Sequence, residues 1–478
     1  MVTKKEIINN PLFKIIGECA DTLNMNAFVI GGWVRDFLLK RDSKEIEFDI
    51  VCDDDGIKLA KKVALELKVK NIHIYKNFGT AAISFQGIKI EFNGARKESY
   101  KKDSRNPKIK KGTLEDDQKR RDFTINAMSV RLNSEKYGEF IDPFNGVSDL
   151  SNKIIRTPLA PIKTYDDDPL RMMRAIRFAT TLGFELEKKS LDAIRKKNNR
   201  LKIIKQERIT EELNKIILSK KPSHGISLLS KTGLLNIFFP EFELLHGIEN
   251  INGITHKDNF HHTLKVLDNI SKHTQSLWLR WAAILHDIAK PKTKKFDKQH
   301  GWTFHGHEYL GSKMVYSIFK RLKLPLDQNM KYVEKLVLLH LRPISLSKDI
   351  VTDSAIRRLL FDTQNDIEDL MLLCHADITS KNEKKVKKYQ SNLKNVEKKL
   401  KDVEERDKIR NWQPPISGDI IMKKLNLQGG RSNPVEGKKI AIIKEKIKEA
   451  ILDGEIKNDY MEAEELMYDI ASKLGIEY

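Results

Sequence analysis

Apolar and polar positions alternate with a period of two near the start of the chain, and this pattern predicts strands. Residues 47–51 read Glu-Phe-Asp-Ile-Val, so Phe48 and Ile50 should face a core. Glu47 and Asp49 then share the opposite face. Further strands are predicted near Phe28 and at residues 72–75, 81–85 and 88–92, and helical periodicity is found in residues 5–24 and 57–67. The beginning of the chain is therefore expected to combine a sheet with helices.

Helical periodicity dominates the chain after residue 150. Residues 166–168 are three aspartates, placed by the pattern at the N-terminus of a helix, where negative charge complements the helix dipole. In that helix Leu170, Met173 and Ile176 should face inward, while Arg171, Arg174 and Arg177 form a cationic stripe. By contrast, residues 100–112 are polar and basic, with Pro107 and Gly112, and predict a flexible loop.

The strand at residues 47–51 carries the first candidate chemistry. Two carboxylates side by side can hold a hard cation through their oxygens. The preceding Gly31 and Gly32 let the backbone approach phosphates, and Arg35 supplies a cation that cannot be deprotonated. Together these features indicate metal-assisted phosphoryl or nucleotidyl transfer. Taken alone, such an alternation is more often a half-buried edge strand without catalytic function, and a glycine pair is more often only a turn.

A second candidate chemistry lies in the histidine-rich region between residues 260 and 380. Imidazole and carboxylate are the usual ligands of divalent transition metals and of Mg²⁺ or Mn²⁺. A lone histidine on an apolar helix is more often a core residue, but the order of ligand-type residues here predicts a metal centre. The residues are His262, His286, Asp287, His307, His340 and Asp377. The histidines expected to be structural or exposed are His256, His261, His273, His300 and His375.

Composition and charge indicate the class of binding partner and the cellular compartment. The 478 residues carry a formal charge of +20, which favours a polyanion such as nucleic acid. The cysteines Cys19, Cys52 and Cys374 are too few for a disulfide framework or a zinc ribbon, which suits the reducing cytoplasm. No run of about 18 apolar residues is present and the N-terminus lacks the apolar segment of a signal peptide, so no membrane span is expected.

Three stretches carry a resemblance to a known family. They are GGWVRD at residues 31–36, RRDFTINAM at 120–128 and DDDPLRMMRAIRFA at 166–179. Together they resemble the class II tRNA nucleotidyltransferase and poly(A) polymerase family, of the bacterial type with an HD domain. The resemblance implies an α+β fold: a polymerase-β-like head of mixed sheet with helices, followed by an all-helical neck, HD body and tail. The implied domains are a catalytic head at 1–150, a base-selecting neck at 151–250, an HD domain at 251–380 and a tRNA-binding tail at 381–478.

The resemblance also implies an activity and its residues. The family adds CCA to the 3′ end of tRNA from CTP and ATP, with Mg²⁺ held in the head, here by Glu47 and Asp49. It normally has Asp-x-Asp at this place, and Glu45 shares the strand parity of Glu47, so either glutamate could be the first ligand. Asp168 and Arg171 would select the base. The implied nucleotide-binding residues are Gly31, Gly32, Arg35, Arg120, Arg121, Asp122, Asn126, Asp168, Arg171, Arg174 and Arg177, with Arg35 also catalytic, Glu91 as a third carboxylate and Arg208 in the neck.

Other functions remain open at this point. The order of histidines and aspartates resembles the HD phosphohydrolase superfamily, and His307 with His340 resembles its dinuclear form. A phosphohydrolase or phosphodiesterase acting on RNA ends or nucleotides is therefore an alternative, or an added activity. A poly(A) polymerase and an enzyme that adds only CC or only A are further alternatives. The HD metal, its substrate and the oligomeric state are not determined by the sequence.

Overall fold

The chain forms two compact units, Met1–Glu243 and Leu244–Tyr478. The computed structural model describes residues 9–41, 47–76, 79–99, 108–251, 253–347, 352–380, 382–410, 412–428 and 433–477. The division between the units falls close to the predicted boundary between neck and HD domain at residue 250. The finer division into four domains stays a prediction.

The first unit contains a seven-stranded sheet and twelve α-helices among its described residues. The strands are β1 (Ala27–Ile30), β2 (Glu47–Cys52), β3 (Ile72–Tyr75), β4 (Thr80–Phe85), β5 (Ile88–Gly94), β6 (Arg96–Ser99), β7 (Lys108–Lys111), β8 (Ser129–Arg131), β9 (Phe140–Ile141), β10 (Ile154–Ile155) and β11 (Glu185–Leu186). The helices are α1 (Pro11–Thr22), α2 (Gly32–Leu38), α3 (Gly56–Glu66), α4 (Leu114–Lys119), α5 (Gly146–Ser151), α6 (Pro161–Asp167), α7 (Leu170–Leu182), α8 (Lys188–Lys197), α9 (Gln206–Ile217), α10 (Pro222–Lys231), α11 (Leu234–Phe238) and α12 (Pro240–Glu243).

The large sheet is mixed, as predicted for the head. Its strand order is β3-β4-β5-β2-β1-β8-β9, in which β2 and β5 run parallel and the other neighbours are antiparallel. Phe48 and Ile50 are fully buried, which confirms the predicted core face of β2. Phe13 of α1 and Trp33 of α2 meet Phe48, with ring centroids 4.8 Å and 5.4 Å from it. Burial of this aromatic cluster fixes both helices against β2.

Three local predictions were wrong. RRDFTINAM does not begin a helix: a single 3₁₀ turn at Thr124–Asn126 leads into β8, because this segment is used to extend the sheet beside β1. The aspartates 166 and 167 end α6 rather than beginning α7. Asp168 is extended, because the residue before a proline is disfavoured in the helical region, and α7 begins after Pro169.

The third wrong prediction is the loop at residues 108–111. Residues 108–111 form β7, which pairs with β6, while residues 100–107 lie outside the described residues. This pairing uses backbone hydrogen bonds between polar, basic segments, so it leaves no apolar alternation for sequence analysis to detect.

The second unit is mostly helical. Its helices are α13 (Asn259–Ile270), α14 (Leu277–Leu285), α15 (Lys290–Thr293), α16 (His307–Leu322), α17 (Gln328–Leu339), α18 (Arg342–Leu346), α19 (Asp353–Thr363), α20 (Ile367–Asp377), α21 (Glu383–Asp407), α22 (Gly418–Lys424), α23 (Pro434–Asp453) and α24 (Tyr460–Lys473). Two short hairpins accompany them, formed by β12 (Asn250–Ile251) with β13 (Ile254–Thr255) and by β14 (Lys295–Asp297) with β15 (Gly301–Thr303). In the part of the chain that is described, no helix is long and apolar enough to cross a membrane.

A glycine makes the contact between α1 and the chain after β8 possible. A Cβ atom on Gly17 would lie 1.9 Å from the carbonyl oxygen of Leu132. We expect Gly17→Ala to lower the free energy of unfolding by about 1–3 kcal/mol, because the backbone must shift to relieve the overlap. Urea unfolding followed by circular dichroism measures this change. Gly418→Ala is the control, since the nearest heavy atom to its Cβ would be 3.9 Å away, and equal stabilities of the two variants would contradict the packing argument.

Candidate functional site

Three carboxylates meet where β2 runs beside β5. The parallel register pairs Asp49 with Glu91 and Glu47 with Lys89. The Lys89 Nζ atom donates to Glu47 at 2.6 Å and to Glu91 at 2.5 Å. The third carboxylate that the resemblance implied at Glu91 thus lies beside the first two, whereas Glu45 falls outside the described residues.

The electrostatics of this edge fit a cation. Burial raises the pKa of Asp49 above its usual range, and the neighbouring Glu91 and Glu47 add to this while Arg121 opposes it. Lys89 already supplies one positive charge between two of the carboxylates. An all-oxygen donor set of this kind suits a hard divalent ion such as Mg²⁺.

A cavity of about 290 Å³ opens beside Asp49. It brings together seven of the predicted site residues and two that the sequence analysis missed, Asn93 and Arg96. The lining residues are Asp49, Asn93, Arg96, Arg120, Arg121, Asp122, Asp168, Arg171 and Arg174. Asn93 follows Glu91 by two residues on β5, so strand parity alone would have placed it on the same face.

Two arginines of the cavity wall are held by one buried aspartate. Asp117 accepts hydrogen bonds from Arg120 Nε at 2.9 Å and Arg121 Nε at 3.2 Å. Burial alone would raise the pKa of Asp117, but the charges of Arg121 and Arg120 outweigh this and lower it. The aspartate therefore stays ionised and keeps both guanidinium groups at the wall. It belongs to α4, three and four residues before its partners, a spacing that the sequence displays.

Asp122 is the centre of a second buried network. Its carboxylate accepts from the Nδ2 of Asn126 at 3.0 Å and from the Nε of Arg174 at 2.8 Å. Arg35 donates in turn to the Oδ1 of Asn126 at 2.7 Å. Burial would raise the pKa of Asp122, but Arg174 and the hydrogen bond from Asn126 hold it well below its usual range.

Arg35 is buried and its donors are used inside the protein. It forms two hydrogen bonds to Asp36, at 3.0 Å and 2.6 Å, besides the one to Asn126. Neither Arg35 nor Asn126 is among the residues that line the cavity. This geometry suits a positioning role better than the direct phosphate contact expected for Arg35.

The glycine pair approaches the carboxylates closely. Gly31 has a φ of 90°, and a Cβ atom there would lie 2.9 Å from Asp49 Oδ2 and 3.1 Å from Arg121 Nη1. A side chain at this position would be strained and would displace both groups. The Gly31 amide itself donates to the Met128 carbonyl at 3.4 Å, so this amide is already engaged, and Gly32 begins α2.

Asp168 and Arg171 retain hydrogen-bonding capacity at the cavity wall. One Asp168 oxygen accepts from the Leu170 amide at 3.1 Å, and one Arg171 nitrogen, Nη2, donates to the Arg120 carbonyl at 2.6 Å. Among the described residues, the second Asp168 oxygen and the Nε and Nη1 groups of Arg171 have no hydrogen-bond partner. An acceptor and a donor are thus available side by side.

The other arginines of this helix are committed elsewhere. Arg174 pairs with Asp122, and Arg177 pairs with Glu212 of α9 and lies 3.8 Å from the Phe178 ring. Arg208 of the neck is exposed and pairs with Glu211 at 3.3 Å. It is not among the residues that line the cavity. Leu170, Met173 and Ile176 are buried, as their pattern predicted.

In the second unit, all six predicted ligand residues lie close together around Asp287. Asp287 lies between two sets of histidines, with its Oδ2 3.4 Å from His262 Nε2 and 3.3 Å from His286 Nε2. Its other oxygen, Oδ1, lies 3.3 Å from His307 Nε2 and 3.9 Å from His340 Nε2. Asp377 closes the first set, 2.9 Å from His262 Nε2. The donor atoms form two groups that share Asp287, an arrangement able to hold two metal ions.

The orientation of the imidazoles favours metal ligation. The Nδ1 atoms of His286, His307 and His340 contact backbone carbonyls at 2.7–2.8 Å, and a carbonyl only accepts. Each Nδ1 must therefore carry a proton, which leaves the Nε2 lone pair directed at the centre when the ring is neutral. The Nε2 atoms of His307 and His340 are 3.3 Å apart, and that of His286 has no hydrogen-bond partner among the described residues. A cation would satisfy these converging lone pairs.

The pKa values of the cluster diverge. Burial, together with the charge of His286, lowers the pKa of His340 to about 3. Burial also opposes protonation of His262, but hydrogen bonds to Asp287 and Asp377 raise its pKa to about 9. Such opposed shifts in one buried cluster are typical of functional sites.

Comparison with known proteins identifies related families and relatives. Residues 27–156 match a family described as the poly A polymerase head domain, residues 183–245 the probable RNA and SrmB-binding site of polymerase A, and residues 259–382 the HD domain. A Multifunctional CCA protein of Haemophilus influenzae is 32% identical over 63% of this chain and 71% of its own length. An A-adding tRNA nucleotidyltransferase of Deinococcus radiodurans is 35% identical over 55% of this chain.

These alignments differ in extent. The chain spans 24% to 60% of the length of four A-adding relatives, of which the Deinococcus protein is one. Among solved structures, the Thermotoga maritima CCA-adding enzyme complexed with tRNA is 20% identical, with a TM-score of 0.59 over 98% of this chain and 97% of that one, which confirms the fold. The matched families and the Haemophilus relative confirm the resemblance drawn from the motifs. The chain belongs to the tRNA nucleotidyltransferase and poly(A) polymerase family, with an HD domain.

Proposed function

We propose that this protein adds CCA to the 3′ end of tRNA, using CTP and ATP. The observation that carries the proposal is a single cavity that joins the candidate metal ligand Asp49 to the available donor and acceptor of Arg171 and Asp168. The names of the Haemophilus and Deinococcus relatives, a Multifunctional CCA protein and an A-adding tRNA nucleotidyltransferase, support tRNA ends as the substrate.

The carboxylates of β2 and two arginines of the cavity wall have separate tasks in this reaction. Mg²⁺ held by Glu47 and Asp49 would lower the pKa of the attacking 3′-hydroxyl and stabilise charge on the leaving pyrophosphate. Arg120 and Arg121, aimed by Asp117, would bind the triphosphate.

Base selection follows from the chemistry of the pair at the start of α7. Cytosine and adenine both carry an exocyclic amino group that can donate to the Asp168 carboxylate, next to a ring nitrogen that accepts from Arg171. Uracil and guanine present a carbonyl oxygen where the amino group would be, and it would face the carboxylate oxygen. The pair thus favours CTP and ATP over UTP and GTP.

The assay that tests the function uses tRNA transcripts that end before the CCA, after the first C and after both Cs. We expect ordered addition that stops after CCA when CTP, ATP and Mg²⁺ are supplied. Asp49→Asn should lower the rate at least about a hundredfold, because transition-state stabilisation by a bound metal is worth several kcal/mol. Product lengths read on sequencing gels give both results.

The control is Asp54→Asn, which removes a carboxylate that pairs with Lys111 outside the cavity. It should extend tRNA at the normal rate. Addition of C alone, or of A only to a CC end, would identify a partial enzyme, and long A tails would identify a poly(A) polymerase. A folded Asp49→Asn protein with full activity would contradict the proposed catalytic site.

A second variant tests base selection. Asp168→Ala removes the acceptor that distinguishes an amino group from a carbonyl, so we expect the preference for CTP and ATP over UTP and GTP to fall by about 10- to 100-fold. Single-nucleotide incorporation with each triphosphate measures kcat/KM for the four bases. Asp192→Ala, which removes an exposed carboxylate paired with Arg195, should keep the preference. Unchanged selectivity of the Asp168 variant, at any rate of addition, would remove Asp168 from this role.

We further propose a phosphohydrolase activity in the second unit, because Asp287 is shared by two groups of histidine and aspartate donors. Metal ions bound there would activate a water molecule for attack on phosphorus. The phosphorus–oxygen bond to the ribose would break, and the ribose oxygen would leave with a proton as a hydroxyl. Lys290, which donates to Asp287 at 2.6 Å, would keep that carboxylate oriented.

This activity is expected to be separable from tRNA extension. Asp287→Asn should abolish hydrolysis of nucleoside phosphates and lower the bound metal measured by mass spectrometry, while CCA addition is retained. The loss is expected because both donor groups contain Asp287. His273→Ala, at an exposed histidine three residues after the end of α13, should retain both metal and hydrolysis. Equal metal content in the wild type and the Asp287 variant would rule out the centre as a metal site.

A further inference from the structure

Aromatic and basic side chains are concentrated on the hairpin next to the histidine–aspartate centre. Residues 290–306, which contain β14 and β15, include five lysines and one aspartate. Phe296 pairs with Trp302 across the hairpin, and their ring centroids are 5.3 Å apart. Strand alternation places Lys294 and Phe304 on the same face as this pair. We name Lys290, Lys294, Phe296, Trp302 and Phe304 the aromatic–basic strip.

Cations lie directly over the rings of the strip. Lys294 Nζ is 5.5 Å from the centroid of Trp302, and Lys290 Nζ is 5.6 Å from that of Phe304. His256 stands edge-on to both rings, at 5.1 Å and 5.9 Å. Trp302 and Phe304 are only half-buried, so part of each ring is accessible to a ligand.

Lys294 does not block a ligand from the Trp302 ring. Lys294 is shared between Trp302 and an ion pair with the exposed Glu249, and an exposed cation–π contact is weaker than a base stacked on an indole. An incoming base can therefore displace the ammonium group from the ring face, and the lysine can then pair with the adjacent phosphate. Stacking rings bordered by lysines are the combination that binds single-stranded nucleic acid.

The strip is continuous with the candidate metal centre. The backbone carbonyl of Phe304 accepts from Nδ1 of His307 at 2.7 Å. Lys290, whose ammonium group lies over the Phe304 ring, also donates to Asp287 at 2.6 Å. Phe304 and Lys290 therefore each contact one of the candidate metal ligands, His307 and Asp287 respectively. A nucleotide at the Phe304 end of the strip would therefore have its phosphate next to the centre.

We propose that the aromatic–basic strip binds the single-stranded 3′ segment of an RNA and presents its terminal phosphoester to the histidine–aspartate centre. This inference rests on the hydrolase activity proposed above and names its substrate class: phosphorylated RNA ends rather than small free phosphoesters. Unpaired bases are required because only they expose the faces that stack on aromatic side chains.

Binding is tested with the full-length protein and a short, unstructured, fluorescently labelled oligoribonucleotide that carries a 3′-phosphate. Fluorescence anisotropy should show at least about fivefold weaker binding for Trp302→Leu, since one stacked base is lost. Trp302→Phe should retain most of the affinity, because it keeps an aromatic face for stacking, although it shortens the ring system and removes the hydrogen bond from the indole to the Ile254 carbonyl. Trp278→Leu, at another half-buried tryptophan of the same unit, should bind normally.

The salt dependence of RNA binding separates the contribution of charge from the contribution of base stacking. Lys294→Gln should reduce the slope of log affinity against log salt concentration by about 0.7, the amount expected for one phosphate contact on a single strand. Thermal unfolding of each variant verifies that the hairpin change has not unfolded the unit. An unaltered affinity of Trp302→Leu, or a Trp302→Phe variant as weak as Trp302→Leu, would overturn the proposal.

Hydrolysis provides a second readout. Trp302→Leu should raise KM for the 3′-phosphorylated oligoribonucleotide without changing kcat, and should leave the hydrolysis of p-nitrophenyl phosphate and of a free nucleoside 3′-phosphate unchanged. An equal rise in KM for the small phosphoesters would contradict a site that recognises a chain of nucleotides. Absence of hydrolysis in every form of the protein would refute the proposed hydrolase, whereas the binding comparison still decides whether the strip recognises RNA.

Discussion

A single buried carboxylate, Asp122, holds together the segments that form the head cavity. It accepts hydrogen bonds from the Phe123 amide, from Asn126 and from Arg174 of α7. Asn126 in turn accepts a hydrogen bond from Arg35 on α2, the helix that begins at the second glycine of the pair. Removing one partner of a buried ion pair typically costs about 3–5 kcal/mol, so these segments cannot move apart cheaply. The spacing between the carboxylate edge of β2 and the start of α7 depends on this interaction.

This constraint divides the arginines into two groups that look alike in the sequence. Arg35 and Arg174 have internal partners 91 and 52 residues away, and Arg177 pairs with Glu212, 35 residues away. Arg171 keeps free donors at the cavity wall. All four arginines lie in the motifs described above, so residue type and spacing alone predict that each of them contacts the nucleotide. Only the fold reveals which guanidinium groups are consumed in holding the site and which remain available to a ligand.

Features governed by local periodicity were predictable from the sequence, and features governed by distant partners were not. The core face of β2 and the strand at 72–75 followed from alternation. The histidine–aspartate ligands are an exception, since they are far apart in the sequence and their joint site was predicted from the resemblance of their order to the HD superfamily. The place of Asn93 could have been inferred from strand parity, and the break before Pro169 from proline sterics. The β6–β7 pairing and the anchoring of Arg35 could not, because backbone hydrogen bonds and long-range ion pairs leave no periodic trace in the residue pattern.

The two candidate centres differ in ways that bear on how one chain could use both. The head edge offers only carboxylate oxygens, is partly exposed, and already contains a lysine between two of them. The second centre offers mainly imidazole nitrogens, is buried, and has each of three rings fixed by a backbone carbonyl. Oxygen ligands suit Mg²⁺, whereas nitrogen-rich sets favour transition metals. For the two reactions proposed above, the donor chemistry predicts a different preferred ion in each unit, so that the two reactions would not compete for the same metal.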